Sequence, residues 1–140
     1  MVKALGLPTQ GSGSFSDVPA QAWYAAYVGS ASAWGIVNGS GGGTFRPLAP
    51  LSRQEAAVMV TNAAQLCGLD PSMDNAATQD ILSQFLDYTT SAPWARPSLA
   101  FCYREHILDQ SELYVRPGEA VMRSEVAQML FNLLSRANLL

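Results

Sequence analysis

The sequence predicts an all-α fold in which two helix–loop–helix repeats pack as a pseudo-symmetric helical bundle. Residue types recur in the same order about seventy positions apart, and each copy carries an apolar stripe with helical spacing. Trp23 and Ile36 recur seventy-one positions on, as Trp94 and Ile107. The residues that recur seventy positions on are Phe15, Asp17, Arg46, Pro47, Arg53, Glu55, Ala57, Met59 and Asn62.

The first helix of the first repeat is predicted from about Ala20 to Trp34. Gly35 follows, and glycine commonly ends a helix because it adopts left-handed backbone angles without strain. The stretch 38–43 reads NGSGGG and is too rich in glycine for regular structure. Pro47 and Pro50 then keep the chain extended up to the second helix.

The second helix begins with the sequence Ser52-Arg53-Gln54-Glu55, which is a capping box, and Gly68 is placed to end it. We expect the apolar stripe of this helix and that of its copy to face each other in a shared core. Because the second stripe has larger residues, we expect it to contribute more to that core. The stripes are Ala56, Met59, Val60, Ala63, Ala64 and Cys67, and Val126, Met129, Leu130, Leu133, Leu134 and Ala137.

The chain divides into four predicted segments. Residues 1–14 form an N-terminal tail or the end of a preceding repeat, because MVKALGL resembles QLCGL at the end of the first repeat. Residues 15–69 are the first repeat, 70–84 a polar connector that reaches into a short helix from Thr78 to Phe85, and 85–140 the second repeat.

Composition excludes several classes of protein. A net charge of −3 and an isoelectric point near 4.9 argue against nucleic-acid binding, which normally needs a basic surface. No apolar run is long enough to span a bilayer, and the N-terminus lacks the pattern of a secretory signal. Cys67 and Cys102 match no zinc motif and are expected to be buried small hydrophobes, with a disulfide or a reactive thiol as open alternatives.

The stretch FSDVPAQAWYAAYV…GIVNGSGGGTFRPLAPLSRQEAAVMV resembles the S-layer homology (SLH) motif, and Phe85 to Leu134 looks like a second, divergent copy. The resemblance implies a non-catalytic module on the bacterial cell surface. Such modules anchor secreted proteins by binding secondary cell-wall polysaccharide non-covalently, often through pyruvylated sugars. They usually occur as three copies with grooves between neighbours, so other repeats or copies of the same chain are possible partners.

By the same resemblance, the arginine of the Ser/Thr-Arg-x-Glu element is the leading ligand contact, here Arg53 and Arg123. An arginine fork at a helix N-terminus suits a carboxylate, which a pyruvylated sugar carries. One alternative stays open, that the arginines pair with neighbouring acids. Trp23 and Trp94 could stack on a sugar, but we expect both in the core, because large aromatic residues at helix starts are more often core anchors. The predicted carbohydrate-binding residues are Arg53, Glu55, Asn38, Gly39, Arg46, Trp23, Arg123 and Trp94.

The second repeat departs from the motif where a ligand would bind. Met122 replaces Ser52, and Gln110 replaces Gly39, so we expect the first repeat to be the better binding half.

Asp17 and Asp87 are expected to cap helices, and the lone His106 to be solvated or packed. No catalytic residue, metal site or cofactor is predicted. The alternative functions are a structural or assembly module of a surface layer without sugar binding, and the anchor fragment of a larger secreted enzyme.

Overall fold

A computed structural model of the protein describes residues 1–8, 15–38 and 43–140. Within these residues the structure contains helices but no strand, which confirms the all-α prediction. Two short 3₁₀ turns, Tyr88–Thr90 and Pro93–Ala95, precede the fourth helix. The helices are α1 (Ala25–Ala33), α2 (Arg53–Leu66), α3 (Asn75–Leu82), α4 (Arg96–Arg104) and α5 (Arg123–Arg136).

The helices recur with the same offsets as the sequence. Both α1 and α4 have nine residues and begin 71 positions apart, whereas α2 and α5 have fourteen and begin 70 apart. The chain forms two compact units, Met1–Ala49 and Pro50–Leu140, so the predicted first repeat has α1 in one unit and α2 in the other. The predicted segment boundaries stay a prediction.

The first helix begins later than predicted. The amide of Ala22 donates to the Pro19 carbonyl and that of Ala25 to the Ala22 carbonyl, both at 3.0 Å. These bonds span three residues, so the segment forms successive turns, and the α-helical pattern of four-residue bonds starts only with α1. The short helix predicted between the repeats also differs, because α3 begins at Asn75 with Asp74 as its N-cap.

Five helix-like segments of the described chain end in one conformation. The residue that ends each segment has positive φ, and its own amide donates to the carbonyl three positions back; these residues are Gly6, Gly35, Gly68, His106 and Asn138. The next residue, a leucine or an isoleucine, donates five positions back, which completes a Schellman motif. Residues 1–7 therefore end as α1, α2, α4 and α5 do, and whether they are an N-terminal tail or the end of a preceding repeat stays a prediction.

The first unit has a small apolar core on one side of α1. Val18, Ala25 and Val28 are buried there. The rings of Phe15 and Phe45 pack against this cluster with their centroids 5.3 Å apart. The core thus joins the start of the first repeat to the segment that follows its glycine-rich loop.

The second unit is built around α4, which packs against α2 and α3 and carries five buried residues in succession, from Leu99 to Tyr103. The expectation that α5 contributes more to the core than α2 is wrong. Six residues of α2 are buried, mostly alanines, whereas only Met129 and Leu133 of α5 are. Small residues let α2 approach its neighbours closely, and the larger residues of α5 stay partly in solvent.

Both cysteines have free thiols. Cys102 is fully buried in α4, as predicted, and burial raises the pKa of its thiol to about 12. Cys67 at the end of α2 is only partly buried, and its thiol pKa is raised by the same cause. In the part of the chain that the structure describes, no helix is long and apolar enough to cross a membrane.

Candidate functional site

The N-terminus of α2 has the capping box that the sequence predicts. The Ser52 hydroxyl accepts the amide of Glu55 at 3.2 Å, and the Glu55 carboxylate accepts the amide of Ser52 at 3.1 Å. The arrangement satisfies amides that the helix itself leaves unpaired. One oxygen of Glu55 is thus engaged, and its side chain lies in solvent.

Arg53, the first residue of α2, lies against the segment that leads into α5. Its guanidinium forms an ion pair with Glu125, and its Nε donates to the Val115 carbonyl at 3.0 Å. Only 10% of the Arg53 side chain is exposed. Arg53 therefore pairs with an acid, which was the open alternative, and its role as a ligand contact stays a prediction.

The backbone joins the same two segments. The amide of Arg53 donates to the Glu119 carbonyl at 2.9 Å, and that of Gln54 to the Pro117 carbonyl at 3.0 Å. In return, the amide of Val121 donates to the Leu51 carbonyl at 2.7 Å. The loop before α5 thus supplies acceptors to first-turn amides of α2 that have no partner within their own helix.

Arg123, the equivalent of Arg53, is in a different environment. Its side chain is exposed and contacts no hydrogen-bond or ion-pair partner among residues 1–8, 15–38 and 43–140. Met122 before it has extended backbone angles close to those of Ser52 but no hydroxyl, so only the Glu125 half of the capping interaction forms, at 3.0 Å. Two residues with equivalent sequence positions therefore differ in what they can bind.

Asp17 and Asp87 do not cap helices, contrary to the prediction. The two oxygens of Asp17 accept the amides of Phe45 and Arg46, at 2.8 and 2.7 Å. Those of Asp87 accept the amides of Val115 and Arg116, at 2.7 and 2.9 Å. Each aspartate thus holds the loop before the second helix of its repeat.

This clamp allows an unusual backbone. Arg46 and Arg116 have φ of +61° and +53°, a conformation that costs energy in a residue other than glycine. The two charge-assisted bonds offset that cost, and the amides, Phe45 first, lower the pKa of Asp17. The sequence did contain a signal for this role, since the aspartate precedes the Arg-Pro pair by the same interval in both copies.

The tryptophans are not core anchors, contrary to the expectation drawn from their size. Trp23 is 83% exposed and Trp94 is 61% exposed. Trp23 contacts Tyr24 edge to face, with ring centroids 5.5 Å apart. Exposed indole faces at equivalent positions are free to stack on a sugar ring.

The remaining predicted contacts lie around the first loop. Arg46 and Asn38 are exposed, and the guanidinium of Arg46 is unpaired within the described residues. Gly39 lies outside those residues. In the second repeat, Gln110 donates from its side chain to the Tyr103 carbonyl at 2.7 Å, so this residue holds the end of α4.

A polar hollow lies where α4 and α5 end, and it includes the exposed His106. Arg136 and Glu105 are already paired there, because Nε of Arg136 donates to Glu105 at 2.6 Å, and the Asn132 side chain donates to the Ile107 carbonyl at 3.1 Å. Over the described ranges, no group of three or more histidine, cysteine or acidic side chains is arranged to hold a metal ion.

Comparison with known proteins shows one matching family and one similar surface protein. Residues 14–57 match the S-layer homology domain family. The chain is also 32% identical over 128 residues, 89% of its length, to the surface-layer 125 kDa protein of Lysinibacillus sphaericus. It spans about a tenth of that relative. The resemblance to the S-layer homology family is therefore confirmed, and the number of repeats stays a prediction.

Proposed function

We propose that this chain, which carries an S-layer homology segment over residues 14–57, anchors a bacterial surface protein to the cell wall without catalysis. The ligand is a secondary cell-wall polysaccharide of anionic character, bound non-covalently and outside the cell. The exposure of Trp23, within the matched segment, is the observation that carries the proposal. An indole that is 83% exposed contributes little to folding, whereas it offers a rigid face to a sugar.

The anionic groups of the polysaccharide need a cation that is not already paired. Arg46 meets this requirement in the first repeat, and its planar fork suits a carboxylate such as that of a pyruvylated sugar. Asn38 adds an exposed amide, and Gly39 is a further proposed contact beside it. Glu55 is proposed as a separate contact at the start of α2. In the second repeat Trp94 is the equivalent aromatic contact.

Arg53 contributes to this function mainly by holding the helix start in place. Its guanidinium is engaged with Glu125 and Val115, so a ligand would have to share or displace those contacts. Loss of Arg53 would therefore reduce sugar binding and stability together. A test of sugar binding is clearer with exposed residues whose removal leaves the fold intact.

Co-sedimentation with cell-wall sacculi tests the proposal. We expect the chain to sediment with sacculi of Lysinibacillus sphaericus that keep their secondary polymer, and to stay in solution when that polymer has been stripped. The variants Trp23→Ala and Arg46→Gln should each bind at least about tenfold more weakly. Leu48→Ala, a change at another exposed apolar residue, is the matched control and should bind as wild type. Equal binding to stripped sacculi would refute the proposal.

A further inference from the structure

The contact between the start of α2 and the segment before α5 works as a joint with two complementary halves. One half is an arginine at the first position of a helix, Arg53. The other is a glutamate at the third position of the next such helix, Glu125, together with the backbone carbonyls of the loop before it. Glu125 uses one oxygen for the amide of Met122 and the other for Arg53.

The face of α2 that follows Arg53 is covered by α4. Ala57 and Thr61 lie one and two turns after Arg53 and are 0% and 7% exposed. The Thr61 hydroxyl approaches the Ser98 carbonyl at 3.4 Å and the Cys102 sulfur at 3.6 Å, so α4 covers this face. On α2, the arginine of the joint is therefore followed by a helix face that packs against another helix.

Helix α5 carries an equivalent arginine followed by an equivalent helix face. Among the described residues, nothing pairs with this arginine or covers this face. Arg123 is exposed and unpaired there, and Ala127 and Phe131, the equivalents of Ala57 and Thr61, are exposed as well. Phe131 is 57% exposed, which is a large apolar surface to leave in water. The amides of Arg123 and Ser124 have no acceptor in the described chain outside their own helix, unlike those of Arg53 and Gln54.

The chain also carries the glutamate half a second time. Glu55, at the third position of α2, is the equivalent of Glu125. One of its oxygens accepts the amide of Ser52, as the matching oxygen of Glu125 accepts that of Met122. No cationic group pairs with Glu55 anywhere in the described ranges, so its second oxygen is available.

We propose that the outer face of α5, formed by Arg123, Ala127 and Phe131, binds a second copy of this chain. Arg123 then pairs with Glu55 of the second copy, as Arg53 pairs with Glu125 within one chain. Charge complementarity selects this occupant, because one chain supplies both halves of the joint. The contact is head-to-tail, so it can repeat into a ring or a filament. The proposal does not depend on polysaccharide binding.

Sedimentation velocity over a range of protein concentrations tests this interface. We expect wild type to form concentration-dependent oligomers that weaken as salt is added, since an exposed ion pair is screened. Arg123→Ala and Glu55→Gln should each weaken association roughly tenfold or more. Glutamine at the third helical position preserves the capping box, so Glu55→Gln keeps the fold. Unchanged circular dichroism checks both variants.

Mixing the two variants gives the sharpest result. An equal mixture has one intact pair, Arg123 of the Glu55→Gln chain with Glu55 of the Arg123→Ala chain, so it should form a heterodimer and stop there. Arg46→Gln, which changes another exposed arginine, should associate as wild type although it loses binding to sacculi. A wild type that is monomeric at all concentrations, an Arg123→Ala chain that associates fully, or a mixture that stays monomeric would each overturn the proposal.

Discussion

The guanidinium of Arg53 pairs with the carboxylate of Glu125, so the first residue of α2 is joined to the third residue of α5. Both residues belong to a motif that occurs twice in the chain. The duplicated motif thus supplies both partners of one contact, the arginine from the first copy and the glutamate from the second. This contact therefore holds the start of α2 next to the start of α5.

We predict that Arg53→Ala destabilises the chain by about 2 kcal/mol, between the values typical of exposed and of fully buried ion pairs. The change leaves Glu125 without its cation and the Val115 carbonyl without a donor. Urea unfolding measures the loss. Arg123→Ala is the matched control at an exposed position, and it should change stability by less than about 0.5 kcal/mol in dilute protein.

A double-mutant cycle separates the pair from its surroundings. Combining Arg53→Ala with Glu125→Ala should give an interaction energy of about 1–3 kcal/mol, because the two side chains are in direct contact. Additive effects of the two substitutions would show that the pair contributes nothing of its own.

Local features of this fold could be predicted from the sequence, whereas contacts between distant residues could not. The capping box joins Ser52 to Glu55 through three residues of chain, and the structure has it where the pattern predicted. The exposure of Trp23 depends on which neighbours reach it, and no local pattern contains that information. Size alone favoured burial, and that expectation was wrong.

The ion pair of Arg53 could be predicted only in part. The repetition showed that Arg53, Glu55 and Glu125 belong to one recurring motif, and pairing of the arginine with an acid was an open alternative. Which acid it contacts depends on how the loop before α5 folds onto α2. The clamp by Asp87 crosses 28 residues to Val115 in the same way, so its role could be found only by comparing the two copies.

Asp87→Ala should destabilise the second unit by about 2–3 kcal/mol. The change removes the acceptors of two charge-assisted hydrogen bonds and leaves Arg116 in a left-handed conformation without support. The double variant Asp87→Ala, Arg116→Gly should recover part of the loss, because glycine adopts positive φ freely. Thermal unfolding followed by circular dichroism measures both effects, and a fully stable Asp87→Ala chain would contradict the clamp.

The first clamp predicts a loss of stability in acid. Backbone amides lower the pKa of Asp17 in the folded state below its ordinary value of 3.8. The folded state therefore binds the proton less readily than the unfolded state does. The contribution of Asp17 is fully present above the ordinary pKa and is lost as the pH falls through the lower, folded value.

Carboxyl carbon NMR measures the titration of Asp17 directly, and we expect its midpoint below 3.8. In a Trp94→Phe background, the fluorescence of Trp23 and Trp34 follows the first unit across the same pH range. Asp17→Asn should be less stable than wild type at neutral pH, and the difference should shrink in acid. A gap of constant size at every pH would show that ionisation of Asp17 is not the cause.

The two thiols should differ in reactivity. Cys102 is fully buried with a pKa raised to about 12, so the native chain exposes almost no thiolate there. Cys67 is partly exposed and should react first with Ellman's reagent under mildly alkaline conditions. The Cys67→Ser variant should then release colour only on unfolding, while Cys102→Ser should react in the native state.

Met122→Ser should stabilise the chain by about 1 kcal/mol, since it supplies the hydroxyl cap that α5 lacks. Met122 has φ of −84° and ψ of 152°, close to the −81° and 160° of Ser52, so a serine hydroxyl there can reach the Glu125 amide. The methionine side chain is 64% exposed, and little packing is lost with it. The converse change, Ser52→Met, should cost a similar amount at α2. Urea unfolding of both variants checks the pair of changes, and a Met122→Ser chain no more stable than wild type would mean that backbone angles alone do not make the site a cap.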